Sequence, residues 1–303
     1  MKAANVEENP GPINLADYKL LAEGGQAKIY LFSDDKVLRV PQRKMDYERI
    51  EYEFKVYREI QDRIPVPQVF ELLKIDGVPS IVMERVKGMS LAKASSHSLL
   101  KMVRLPRVLA TLHSRVFRVA LGEGLVTCHQ KASFCIRNSE TLDAPMKDRL
   151  LHLLGGLAHG NTLCHGDFHP ENILIDGKAT IIDWSAATVG SKLFDIANTY
   201  LLMVNLPFFP SMGRARYELN RRITRWIGRG YLKAILKAEE IKPESLWSFF
   251  LICAAERTYY GQEEEKIKLT RFLTRYSERE SFDLPKIRDS DFSEVINEPS
   301  WAK

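Results

Sequence analysis

The residues best suited to chemistry lie in two short segments that flank a predicted β-hairpin. The first is His165-Gly-Asp-Phe-His-Pro-Glu-Asn172 and the second is Ile182-Asp183-Trp184. Between them, Asn172–Ile175 and Ala179–Ile182 are short apolar runs separated by Asp176-Gly177, a strong short-range hairpin signal. A hairpin brings its two ends together, so Asp167 and Asn172 are expected to approach Asp183. Two carboxylates and an amide oxygen meeting at one point suit a hard cation such as Mg²⁺. A carboxylate beside that site, placed to accept a hydroxyl proton, completes the equipment for phosphoryl transfer. That reaction asks a protein mainly for positioning and charge neutralisation.

The same residues also have plainer readings. His165 and His169 stand four apart, the spacing of a zinc-binding helix. Gly166 and Pro170 oppose a helix there, and the residue between the histidines is Asp where that motif has Glu. Cys164 adjoins His165, but neighbours in an extended segment point apart, so it reads as a small buried hydrophobe. Asp195 is a natural helix cap, and Glu53 alone is ordinary surface-helix material.

The elements that must hold these residues divide into two regions. Ile29-Tyr-Leu-Phe32 and Val37-Leu-Arg-Val40 read as strands around the turn Ser33-Asp-Asp-Lys36, preceded by the glycine-rich turn Glu23-Gly-Gly-Gln-Ala27. Ile50, Phe54, Tyr57 and Ile60 give Met45–Arg63 a helical rhythm, which Pro65-Val-Pro67 stops. Val69–Leu73 and Ser80–Met83 read as two further strands around Asp76-Gly77. Beyond Glu84 the pattern turns helical: Leu99–Arg118, Met146–Leu157, a stripe at Leu219, Ile223, Ile227, Tyr231 and Ile235, and Trp247–Tyr260. The expected layout is a flexible tail over 1–15, a β-rich lobe over 16–88 ending in a hinge, and a helical lobe over 89–303. The tail motif Asn5–Pro12 resembles the end of a viral ribosome-skipping peptide, and we set it aside as a coincidence or a cloning scar.

Composition agrees with a soluble two-lobed protein. The chain has 303 residues, enough for about two domains. With 45% hydrophobic and 27% charged residues it is neither disordered nor of low complexity. Cys128, Cys135, Cys164 and Cys253 lack CxxC spacing, which argues against a disulfide scaffold and for a reducing cytoplasmic setting. Residues 1–11 are polar and acidic, unlike a secretory signal, and Ile196–Pro210 is too interrupted to span a bilayer. The net charge is only +5, but it is unevenly spread. Residues 97–122 carry five lysines and arginines and no acid, and residues 213–233 carry seven against Glu218 alone. These stretches read as solvated basic faces of helices, with attraction of an anionic substrate or partner as the alternative. Nucleic acid is not expected, since aromatic interleaving and a known binding module are missing.

The motifs together resemble the aminoglycoside phosphotransferase and choline kinase family, small-molecule relatives of the protein kinases. His165-Gly-Asp-x-x-x-x-Asn172 is similar to that family's catalytic loop, and Ile182-Asp-Trp184 stands where protein kinases have DFG. The likeness continues through Glu53-Phe-Lys-Val-Tyr57, Val66-Pro67, Met83–Gly88 and Leu109-Ala-Thr-Leu-His113, in the family's order, over about 15–202. It implies the two-lobed protein-kinase-like α+β fold. It also implies Asp167 as catalytic base, Asn172 and Asp183 as Mg²⁺ ligands, and Asp195 and His165 as supports of the catalytic loop. Gly24 and Gly25 offer backbone N–H groups to phosphate. Arg39 falls where protein kinases have a lysine that contacts the α- and β-phosphates, with Glu53 as its partner and Lys36 as a rival. The segment around Glu84–Val86 would hold the adenine edge.

The activity so implied is ATP- and Mg²⁺-dependent transfer of a γ-phosphoryl group to a hydroxyl of a small molecule, with GTP not excluded. Only eleven residues separate Asp183 from Asp195, too few for a protein-kinase activation segment, and no APE-like motif follows. The acceptor is therefore read as an aminoglycoside, a sugar, an amino alcohol or a nucleoside. The alternative function is a nucleotide-binding pseudokinase that acts as a regulator or scaffold.

Overall fold

The computed structural model describes residues 14–122, 124–205, 213–279 and 284. The ribosome-skipping-like motif and almost all of the expected tail lie outside the described residues. The chain forms two compact units. One joins the residues up to Met89 with Leu174–Ser185, and the other joins Ser90–Ile173 with the residues from Ala186 onward.

The first unit is built on a five-stranded antiparallel sheet. In chain order its elements are β1 (Leu20–Glu23), β2 (Ala27–Leu31), β3 (Lys36–Pro41), helix α1 (Tyr47–Ile60), β4 (Val69–Ile75) and β5 (Val78–Glu84). The strand order is β1-β2-β3-β5-β4, with β3 paired to β2 (Ile29 opposite Arg39) and to β5 (Arg39 opposite Ile81). Asp76 and Gly77 both take positive φ, the two-residue turn whose twist matches the strands it joins. Leu38, Val40, Ile75 and Val82 are buried together on one face of the sheet. On α1, Ile50, Glu53, Val56, Tyr57 and Ile60 are buried, a stripe at helical spacing. A charged residue in that stripe needs a partner, which the site supplies.

After β6 (Met89–Ser90) come helices α2 (Leu91–Ser96), α3 (Leu99–Val116), α4 (Cys128–Asn138) and α5 (Ala144–Gly155), then strand β7 (Thr162–Cys164). The hairpin β8 (Ile173–Asp176) and β9 (Lys178–Ile181) turns at Gly177, with φ 68°, and pairs in a three-stranded sheet with β6. β10 (Thr188–Gly190) then runs antiparallel to β7 and is followed by α6 (Lys192–Val204), α7 (Arg214–Ala238), α8 (Trp247–Tyr260) and α9 (Glu263–Tyr276). No helix among the described residues is long and apolar enough to cross a membrane.

Two expectations about α7 need correction. Leu219 is 58% exposed, so the buried stripe begins later, at Ile227, Tyr231 and Ile235. Arg225 is not solvated: it is buried and donates from Nη2 to the Val204 carbonyl at 2.8 Å. Its guanidinium serves the end of α6, whose last carbonyls need donors.

Leu38 lies at the centre of the sheet core with no exposure. Leu38→Ala is expected to destabilise the protein by about 2–5 kcal/mol, measured by urea unfolding, through lost transfer energy and the cavity left behind.

Candidate active site

In the sheet unit, Arg39 on β3 is the centre of a charge cluster. Its Nε donates to Glu53 Oε2 at 2.8 Å and its Nη2 to Asp183 Oδ1 at 3.1 Å. The structure thus brings together three sequence-predicted residues drawn from β3, α1 and the chain after β9. The rival, Lys36, is placed differently: its ammonium lies 4.7 Å from the centre of the Phe70 ring. Asp183 itself has φ 64°, a backbone conformation uncommon for residues with a side chain. Its N–H donates to the Tyr57 hydroxyl at 3.1 Å, and Ser185 Oγ donates to its Oδ1 at 3.0 Å. Oδ2 has no hydrogen bond among the described residues, and the side chain is 32% exposed.

One guanidinium therefore serves two carboxylates, and burial decides which of them yields. Glu53 has no exposure; burial, reinforced by Asp183 and opposed by Arg39, pushes its carboxyl up to about 7. Burial also pushes the Tyr57 hydroxyl well above its ordinary value, with Glu53 adding to the effect.

The glycine turn between β1 and β2 is only partly open. Gly24 N–H donates to the Ala27 carbonyl at 3.0 Å and closes the turn, whereas Gly25 N–H has no partner among the described residues. Of the two N–H groups expected to face phosphate, the one at Gly25 is available. At the far end of β5, Glu84 N–H donates to Gln68 O at 2.8 Å and its Oε2 accepts from Gln68 N at 3.1 Å. Val86, just beyond, is half-buried and makes no main-chain hydrogen bond among the described residues.

In the helical unit, the loop after β7 is tied to Asp195 on α6. Asp195 Oδ2 accepts from His165 N at 2.6 Å and Oδ1 from Gly166 N at 2.9 Å, while His113 Nε2 lies 2.8 Å from Oδ2. Burial would raise this carboxyl, but His113, His165 and the Gly166 amide hold it below the usual range. Asn198, one turn along α6, donates to the Gly166 carbonyl at 2.7 Å. Gly166 has φ 77°, and a Cβ there would fall on the Ala186 carbonyl, so this corner admits only glycine.

Asp167 follows that corner. Its N–H donates to His165 Nδ1 at 3.2 Å, and Asn172 Nδ2 donates to its carbonyl at 2.9 Å and to its Oδ2 at 3.1 Å. With both amide hydrogens turned to Asp167, Asn172 presents its oxygen outward, the atom a hard cation prefers. Burial would raise Asp167, but the His169 ring, 3.5 Å from Oδ2, together with His165 and Arg257, brings its carboxyl down to about 2.

Several supporting residues escaped the sequence reading. Tyr57 stands one turn beyond Glu53 on α1 and Asn198 one turn beyond Asp195, so helical spacing from a recognised carboxylate points to both. His113 lay within a quoted motif without a role. Its ring stacks on buried Phe168 at 4.0 Å. Arg257 and His169, which tune Asp167, carry no local signal.

Comparison with known proteins bears on the family and the fold. A sequence model of the APH phosphotransferase enzyme family matches residues 17–233. The chain belongs to that family. Among solved structures, the streptomycin–ATP complex of the aminoglycoside phosphotransferase APH(2'')-IIa aligns with a TM-score of 0.56 at 17% identity, over 88% of this chain and 93% of that one. ADP-bound APH(2'')-Ib gives 0.54 at 17% identity, over 88% and 94%. A thermostable APH(4)-Ia mutant gives 0.52 at 16% identity, over 86% and 92%. No curated protein sequence matches the chain. The architecture expected from the motifs is therefore the one found: a two-lobed protein-kinase-like α+β fold with a small β-rich N-lobe and a larger helical C-lobe.

Two outcomes follow from the geometry. Gly166→Ala should destabilise the protein by roughly 2 kcal/mol or more, read by thermal unfolding, because both the backbone angle and the Ala186 carbonyl oppose it. Glu53 keeps its proton up to about pH 7 in the native state, whereas the unfolded chain releases it near the ordinary 4.5. Its contribution to stability is therefore fully present below about pH 4.5 and fades as pH rises through about 7. Relative to Glu53→Gln, the parent should lose stability from pH 5 to 8 in urea titrations. A flat difference would show that the carboxylate is charged throughout.

Proposed function

We propose that this phosphotransferase-family protein uses ATP and Mg²⁺ to phosphorylate a hydroxyl of a small molecule. The observation that carries the reading is the Asp167 carboxylate, held at a glycine corner by His165 and Asn172 and kept ionised by its histidine neighbours. A lobe over 16–88 would bind the nucleotide through Gly25, Arg39 and the main chain around Glu84–Val86. The lobe over 89–303 would carry the acceptor. The ATP- and ADP-bound neighbours support use of a nucleotide, and the streptomycin-bound one supports a small hydroxylated acceptor.

Each unit carries a hard oxygen donor of the kind a magnesium ion prefers. The Asn172 amide oxygen and Asp183 Oδ2 are hard oxygen ligands without hydrogen bonds among the described residues, and they would hold it. When bound, Mg²⁺ would neutralise charge on the phosphates. Asp167 would orient the acceptor hydroxyl and receive its proton as the oxygen attacks the γ-phosphorus. Arg39 would offer its guanidinium to the α- and β-phosphates while Glu53 fixes its direction. His165 and Asp195 position the loop and do not take part in bond making.

Asp167→Ala should lower nucleotide turnover by about 10²–10⁴ in the presence of a competent acceptor, while nucleotide affinity is retained. Pools of hydroxylated metabolites and aminoglycosides, tested for stimulation of the parent over the variant, would name the acceptor class. Equal turnover by parent and variant would sink the assignment.

A further inference from the structure

α3 and α7 run side by side in the helical unit, and between them lies a groove of about 1070 Å³. Its floor is small and apolar, formed by Pro106 and Ala110 against Gly230 and Ala234. A Cβ at Gly230 would lie 2.9 Å from the Pro106 ring, so glycine lets the helices close at this level. Beside the floor stand Val103 and Trp226, 54% and 47% exposed. The rim carries Arg107, Lys233 and Lys237, all exposed, and no acidic residue lines the groove. Among the described residues none of these three cations makes an ion pair.

A merely solvated basic face has no reason to hold a large aromatic ring half out of water over an apolar floor. Apolar floor and cationic rim together complement a ligand with one apolar face and acidic flanks. We propose that this groove is the docking site of an acidic amphipathic helix of a partner protein. From Trp226 to Lys237 the groove spans about 16 Å, or three helical turns. The incoming helix would lay its apolar residues on Pro106, Ala110, Ala234 and Trp226, and pair its carboxylates with Arg107, Lys233 and Lys237. A concave floor suits a helix better than a flat bilayer. Trp226 is the one aromatic residue in the lining, too few for the successive stacking that single-stranded nucleic acid uses.

The test uses the full chain and a fluorescent synthetic peptide of fourteen residues, with leucines at helical spacing and glutamates elsewhere, read by anisotropy. Binding is expected with a Kd in the micromolar range. The K233E/K237E double variant and Ala234→Glu should each weaken it at least tenfold, with parental melting temperature and phosphotransferase turnover. Equal binding of a scrambled peptide of the same composition would reduce the effect to bulk charge and overturn the proposal. So would absence of binding, or preferential binding to phosphatidylserine vesicles over the peptide. A tenfold gain in peptide affinity on deleting residues 285–303 would make the chain's own acidic end the occupant. A dimer in sedimentation, lost in K233E/K237E, would make it a second copy. Either result would overturn the assignment to a partner.

Discussion

Asp195 has almost no access to water, and three donors from two different segments converge on its carboxylate: the amides of His165 and Gly166 and the His113 ring. A buried carboxylate without partners is strongly disfavoured, so the loop and α3 must meet α6 at this point for the helical unit to form. His113 is itself held from the other side, with Nδ1 2.6 Å from the Tyr231 hydroxyl on α7. Three helices and one loop are thus set by a chain of hydrogen bonds whose side chains, His113, Asp195 and Tyr231, are all buried. Asp167 inherits its position from that chain through the Gly166 corner. Where a side chain must be placed within a fraction of an ångström, a fully satisfied polar network is a stiffer support than packing alone.

The sheet unit solves a different electrostatic problem. Arg39 faces two carboxylates of unequal burial, so the three groups together carry one negative charge when all are ionised. Protonation at Glu53 relieves that excess without disturbing Arg39 and Asp183. A cation arriving at the exposed side of Asp183 would draw Glu53 toward its charged form, whereas a phosphate would favour its protonated form. The cluster is therefore responsive by construction, and its response passes through one guanidinium whose fork geometry a lysine cannot reproduce.

Much of this was legible locally. The hairpin at Asp76-Gly77, helix α1 and helix α8 are encoded by turn chemistry and by apolar spacing within a few residues of one another. α4 was missed because its buried face, Cys128, Ala132, Cys135 and Ile136, is mostly small and gives little contrast in hydropathy. β7 and β10 have three residues each, too few for alternation to show. α9 did carry a signal, with acids in its first turn and Leu269, Phe272, Leu273 and Tyr276 at helical spacing. In the site, ordered motifs exposed Asp167, Asn172, Asp183 and Asp195. The bond from Arg39 to Asp183 joins residues 144 apart, and no window of sequence contains it.

The carboxyl of Asp167, brought down to about 2, bears on how a base in this place can act. So weak a base gains little by removing a proton from an alcohol early. It gains more after the hydroxyl oxygen has begun to bond to phosphorus and its own acidity has risen. That order agrees with a loose phosphoryl-transfer transition state, in which the nucleophile carries little charge until late. In the proposed mechanism the value of Asp167 would lie first in the hydrogen bond that aims the hydroxyl and only afterwards in accepting its proton. The His169 and Asn172 contacts, which stabilise the ionised form, would then lower a base strength that the proposed reaction does not require.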